Sequence, residues 1–202
     1  MSDRRDSGVA LVIVMMTITL LTALGSALTL VTIAETAIAA NYRDAAETFY
    51  AAEGAVEFAM QEVAAVSDWR DLVAEPGRSA FVDGPAAGQR TIGAATIDLG
   101  DATTDVNAAG AGGTGATDSA WLLYAFGRFR DLVPSSVRRS QIYVVVWVAD
   151  RSGAPGEETP VPEVLAILGQ AYGGRGSRRT VEVVVERDGA GLVQTRLWRE
   201  WR

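Results

Sequence analysis

VALVIVMMTITLLTALGSALTLVTIA, residues Val9–Ala34, holds 26 consecutive positions without a charge. A bilayer hydrocarbon core about 30 Å thick needs about 20 such residues as a helix, so this run can span one with tilt to spare. Its threonines do not weaken the reading, because a helical hydroxyl can donate to the carbonyl one turn back. Gly25-Ser26 lies deep in the run and could bend or loosen the helix there. Upstream stands the short leader MSDRRDSG, with Arg4 and Arg5; downstream only Glu35 and Arg43 follow closely. By the positive-inside rule the N-terminus stays in the cytoplasm and the chain beyond residue 35 crosses to the outside. A secretory signal peptide has a shorter apolar region, of about 7–15 residues, and is cut after it. Here the candidate cut precedes the run, at Gly8-Val9.

The whole chain has 202 residues, 49% of them hydrophobic, with 18 basic and 25 acidic side chains and a net charge of −7. All the basic residues are Arg; Lys, His and Cys are absent. These absences exclude Cys/His zinc sites, Ser-His-Asp triads, Cys nucleophiles, Schiff-base lysines, disulfides and the P-loop. The acidic balance argues against bulk nucleic-acid binding, which needs cationic side chains to displace counterions. No cofactor, metal site or enzymatic activity is expected.

Past Ala34 the pattern becomes amphipathic. Ala45, Phe49, Ala52, Val56, Ala59 and Val63 recur at spacings of 4 and 3, which places them on one helical face. Phe49, Ala52 and Val56 are the expected packing residues of a helix that continues from about Val9 to Val66. Ser67 reads as the N-cap of a short second helix that ends at Pro76-Gly77.

The remainder reads as β. Gln141–Ala149 is apolar on both alternating faces and is expected to be a central strand covered on each side. Thr180–Glu186 alternates, with Val181, Val183 and Val185 inward, Glu182 and Glu186 outward, and Val184 breaking the rule. Val164–Tyr172, Leu192–Trp198 and Trp121–Phe129 complete five strands, and Thr91–Leu99 is a candidate sixth. GGRGSRR, between Tyr172 and Thr180, is expected to join two strands as a long hairpin loop. The fold class is therefore α+β: a long N-terminal helix packed on an antiparallel sheet. The organisation is a leader (1–8), a membrane helix (9–34), its amphipathic continuation (35–66) and a β-rich domain (67–202). Residues 98–120 and 150–162 are expected to be flexible loops, since they hold few large apolar side chains.

Asp98, Asp101, Asp105 and Asp118 invite a calcium reading, but their spacing fits no EF-hand loop. Asp150, Glu157 and Glu158 are read as solvated loop charges, and Ser135, Ser136 and Ser177 have no His to activate them. Arg128, Arg130, Arg138, Arg139, Arg175, Arg178 and Arg179, with the tail RLWREWR, could stack on bases or grip phosphates. Pairing with acids such as Asp131, Glu186 and Asp188 is the preferred reading, with Arg also guarding a sheet edge.

A short basic leader ending in Gly and followed by an apolar helix resembles the type IV prepilin processing site. The segment NYRDAAETFYAAEGAVEFA, residues 41–59, is similar to the region after the membrane helix of PilX-type minor pilins, with Asn41, Arg43, Asp44, Phe49, Ala51, Ala52, Glu53 and Gly54 matching. The resemblance implies cleavage after Gly8 by prepilin peptidase, methylation of Val9, and incorporation into a type IV pilus or related filament, or priming of its assembly. It implies other major and minor pilins, the peptidase, the inner-membrane assembly machinery and, before assembly, membrane lipid as partners. Most pilins carry Glu as the fifth residue of the mature chain; Ile13 stands there in this one. A carboxylate within the membrane costs about 2.5–3.5 kcal/mol at a helix centre, a cost this subunit avoids along with the pairing the Glu would make. Two alternatives stay open: a minor pseudopilin of type II secretion, and a single-span envelope protein with an outward ligand-binding β domain.

Overall fold

The computed structural model describes residues 3–73, 77–93, 95–110, 120–133, 140–152 and 163–201, and of residues 3–7, Arg70 and Gly110 the backbone alone. Helix α1 (Asp3–Ala65) contributes to two compact units, residues 1–43 and 44–202. Among the described residues the first unit is helix alone. The second holds a turn of 3-10 helix (Trp69–Asp71), β1 (Gln89–Ile92), β2 (Ala95–Asp98), α2 (Leu99–Gly110), β3 (Leu122–Arg128) and α3 (Phe129–Leu132). It continues with β4 (Tyr143–Asp150), β5 (Glu163–Tyr172), β6 (Arg178–Arg187) and β7 (Val193–Trp201). The fold is α+β.

Strands β3 to β7 form an antiparallel meander in sequence order. One face buries Val144, Val146, Leu165, Ile167, Val181 and Val183 against Ala51, Ala52, Ala55, Val56, Ala59 and Val63 of α1. The other buries Val145, Trp147, Ala166 and Leu168 against Leu99, Ala102 and Val106 of α2 and Ile92 of β1. Strand β4 is thus covered on both faces, as its unbroken apolar run requires. The edge at β3 is covered by the segment around Val82, which pairs in parallel with Phe126.

Helix and sheet approach closely because small residues meet. A Cβ at Gly169 of β5 would strike the Val56 side chain and lie 3.0 Å from the Ala52 carbonyl. Ala51, Ala52 and Gly169 therefore set the spacing. The end of α1 is fixed by Arg187 of β6, whose guanidinium donates to the carbonyls of Val66 (2.5 Å) and Ser67 (2.9 Å) and to Glu163 (3.1 Å). It also stacks 4.4 Å from the Trp69 ring, and the Trp69 indole donates to Val63 O at 3.0 Å. A cation on the orphan carbonyls of a helix C-terminus satisfies groups that the helix itself cannot.

Several expectations are corrected. Residues 98–120 are not a loop throughout: Leu99–Gly110 is helical, and 111–119 lie outside the described residues. Leu99, Ala102 and Val106, at spacings of 3 and 4, pack on the sheet, and Asp98 accepts from Gly100 N (2.8 Å) and Asp101 N (3.3 Å) as N-cap. Thr91–Leu99 is not a sixth strand of the sheet but part of a separate hairpin, β1–β2, turned at Gly93. Gly93 has φ +58°, and a Cβ there would sit 3.0 Å from Gly174 O, so the turn needs glycine. Glu182 does not face solvent; it is 4% exposed, because that sheet face is covered too. The short helix after Ser67 is reduced to the Trp69–Asp71 turn, since Trp69 is drawn under the end of α1. Most of the 150–162 segment lies outside the described residues.

Substituting Gly169→Ala should lower unfolding free energy by about 1–3 kcal/mol, the cost of overpacking a close contact. Adding Val56→Ala should recover part of that loss in chemical denaturation. Additive losses would show that Val56 is not what the new methyl meets.

Candidate functional site

The feature that sets this chain apart is the first half of α1. Its most apolar 18-residue window has mean hydropathy 2.3 and is 0% buried. Val9, Leu11, Ile13, Leu20, Leu24, Leu30 and Ile33 all lie exposed, and the helix is unbroken through Gly25-Ser26. Its hydroxyls are satisfied within the helix. Thr17, Thr19, Thr22, Ser26, Thr29, Thr32 and Thr36 each donate to the carbonyl four residues back, at 2.8–3.0 Å. The outer surface is therefore apolar in effect as well as in composition, the condition a lipid environment imposes. Such a helix is long and apolar enough to cross a membrane.

Gly8 lies at the start of the apolar run, inside the helix, and a Cβ there would meet nothing within 4 Å. Packing inside the chain does not account for glycine at this position. Of Arg4 and Arg5, only the helical backbone is described. Ile13 is exposed like its neighbours.

The segment after the anchor has a packing explanation. Ala52 and Val56 are wholly buried, and Phe49 packs at the margin of the same cluster, edge-on to Tyr50 at 5.7 Å. Gly54 leaves room for the Phe129 ring, which a Cβ would approach to 3.1 Å. Glu53 is half-buried, and its carboxyl is held above the usual range, first by desolvation and then by Glu200. These side chains seat the distal half of α1 on the sheet. Sequence reasoning found Phe49, Ala52 and Val56 by their periodicity but not the role of Gly54, whose partner lies 75 residues away.

The remaining candidates fall into three groups. Asp101 and Asp105, with the N-cap Asp98, line one side of a cavity of about 590 Å³ beside α2; Tyr172, Arg178, Arg179 and Trp201 line another. Burial pushes the Tyr172 hydroxyl up to about 12, Arg178 opposing and Asp105 adding to the shift. Among the described residues no three metal-binding side chains converge. Asp118, Ser135, Ser136, Arg138, Arg139, Glu157, Glu158 and Arg202 lie outside the described residues. Ser177 bonds to Thr48 of α1 at 2.7 Å, and Asp150 accepts from Ser152 N at 2.8 Å.

The arginines of β7 are engaged in pairing. Arg196 meets Glu186, and Arg199 meets Glu182, which also accepts from the Trp201 indole at 2.7 Å. Arg179 pairs with Glu200 at 3.5 Å and Arg130 with Asp131 at 3.8 Å. Asp188 departs from the expected pairing: it closes the β6–β7 turn by accepting from Ala190 N and Leu192 N, both at 2.9 Å.

Residues 7–57 match the family model described as PilX N-terminal. The N-terminal region is similar to that of PilX-type proteins. That match covers the apolar anchor and the Phe49–Gly54 packing segment together, and stops inside α1. No curated protein and no solved structure matches the chain.

Two outcomes follow for this helix. Leu21→Arg, near the centre of the apolar run, should raise the cost of membrane integration by about 2.5–3.5 kcal/mol and increase release by alkaline extraction. Unchanged extraction would place the anchor elsewhere. Glu53→Gln should raise the melting temperature at pH 7, because the folded pKa is raised and the ionised carboxylate is the disfavoured form. The difference should vanish as pH falls below the unfolded carboxyl range, where both variants are neutral. A gain that persists at low pH would assign the effect to hydrogen bonding instead.

Proposed function

We propose that this chain is a minor pilin: a single-span subunit held in the inner membrane by Val9–Ala34 with its N-terminus cytoplasmic, cut after Gly8 and inserted into a type IV pilus or related filament. The observation that carries the reading is the apolar helix, exposed along its length among the described residues, within a segment that matches the PilX N-terminal model. A surface of this kind needs lipid before assembly and other subunits afterwards, and both environments reward the same side chains. Arg4 and Arg5 hold the leader at the anionic cytoplasmic face. Glycine at position 8 gives the peptidase a residue that leaves the helix at low cost, about 1 kcal/mol more readily than alanine, and lets the backbone approach closely.

Cleavage leaves Val9 as the methylated N-terminus, and Ile13 as a fifth residue that brings no carboxylate into the membrane. The work of the subunit is packing, with no bond made or broken by its own side chains. The membrane anchor, the distal helix and the sheet then act as successive parts of one insertion device.

The test is the N-terminus itself. In membranes containing active prepilin peptidase, mass spectrometry should find the chain starting at methylated Val9, and Gly8→Val should leave Met1–Gly8 attached. An intact leader on the wild-type chain in such membranes rules the proposal out. Cross-linking from a residue introduced into Val9–Ala34 should capture a major pilin, whereas an ordinary envelope protein would give no such adduct.

A further inference from the structure

The strand registers bring the arginines of the domain to one end of the sheet. Arg128 ends β3 opposite Tyr143, Tyr143 pairs with Tyr172, and Tyr172 pairs with Arg178 across the β5–β6 hairpin. Thr180 pairs with Trp201, so β7 also finishes there. Arg175 stands in the hairpin loop and Arg130 in α3, directly after β3. Five described arginines, 128, 130, 175, 178 and 179, therefore crowd one rim.

Two of them are partly neutralised, Arg130 by Asp131 and Arg179 by Glu200. Arg128, Arg175 and Arg178 are exposed and make no ion pair among the described residues. The opposite end of the sheet, at the β6–β7 turn, carries Asp188 at its tip. Acids stand at the rim as well, Asp105 across the cavity from Arg178 and Asp44 beside Gly173, so Arg128 and Arg175 are its least opposed cations.

This rim is also the end at which α1 enters the domain. Thr48 bonds to Ser177 in the hairpin at 2.7 Å, and a Cβ at Gly173 would lie 3.5 Å from the Asp44 carboxylate. Asp44 lies ten positions beyond Ala34, the last of the apolar run. Even fully extended, that stretch reaches about 36 Å. The rim is therefore joined to the anchor by a short stretch of chain, which limits how far it can lie from the surface the anchor occupies.

We propose that the Arg128–Arg175–Arg178 rim docks the domain on anionic phospholipid headgroups while the subunit waits in the membrane. The proposal rests on the membrane-anchor reading above. Exposed guanidinium groups offer planar, bidentate donors to phosphate. The tether supplies a high effective concentration that a free nucleic acid or a soluble acidic protein lacks. Docking would hold the hairpin at the headgroups and restrain the domain until assembly lifts it away.

The experiment uses the full chain in nanodiscs of phosphatidylcholine alone or with phosphatidylglycerol, read by hydrogen exchange of the Gly173–Arg179 amides. Exchange should slow in the anionic discs, be restored by high salt, and be lost in Arg128→Ser/Arg175→Ser/Arg178→Ser. The docked population should change by on the order of fivefold per arginine. Circular dichroism checks that the triple variant is folded, and single substitutions with graded effects serve if it is not. Stable incorporation into discs with exchange independent of lipid charge would overturn the docking while leaving the anchor intact; failure to incorporate into either disc would overturn both. A duplex DNA shift that needs the three arginines at physiological salt, without any lipid dependence, would assign the rim to nucleic acid and overturn the proposal.

Discussion

From Val9 to Ala39 every side chain lies exposed among the described residues, and that imbalance governs the rest. Each large aliphatic group left in water forgoes about 1.5–3 kcal/mol, so a run of this length requires a covering environment. The helix meets its half of the requirement by turning every Thr and Ser hydroxyl of the run back onto its own backbone, which leaves nothing polar to desolvate. What covers it must come from outside: lipid first, and in the proposed role the helices of other subunits.

The globular unit is organised around receiving the continuation of that helix. Ala51, Ala52 and Ala55 allow α1 to lie close to β5, and Gly169 supplies the matching gap on the sheet. At one end Thr48 bonds to the β5–β6 hairpin, and at the other Arg187 and Trp69 grip the last carbonyls. These contacts lie on two ends of one helical segment, so sliding or rotating it breaks both. The second sheet face is closed by α2 and, farther along, by Arg199 and Trp201 lying over Glu182. Removing Arg199 would leave a buried carboxylate without its cation, a far larger loss than an exposed ion pair suggests.

Much of the fold was legible in the sequence because its signals are periodic and local. The apolar run fixes the anchor by length, the 4–3 spacing fixes the buried face of α1, and the two-sided apolar run fixes β4 as central. The misreadings have a common cause in tertiary context. Glu182 looks outward by strand alternation, which assumes one wet face, yet this sheet is covered on both. Helix α2 was hidden in a stretch of Ala, Gly, Thr and Asp, because Leu99 and Val106 are its main large apolar groups and its order depends on packing against Trp147 and Trp121. The β1–β2 hairpin turns on Gly93, whose positive φ no pattern of hydrophobicity reports. The candidate site was legible in its anchor and in Phe49, Ala52 and Val56; the gathering of Arg128, Arg175 and Arg178 at one rim needed the strand registers.

The central claim is that Val9–Ala34 lies across a membrane rather than on it, and the absence of Cys from the whole chain makes that directly measurable. Single cysteines placed along residues 9–50 can be challenged in intact membranes with a water-soluble thiol reagent. The account predicts an unlabelled block across 9–34 and reaction at exposed positions such as Tyr42 and Tyr50, from the side opposite the N-terminus. Labelling that rises and falls with helical period through 9–34 would describe a helix lying in the interface, and would contradict it.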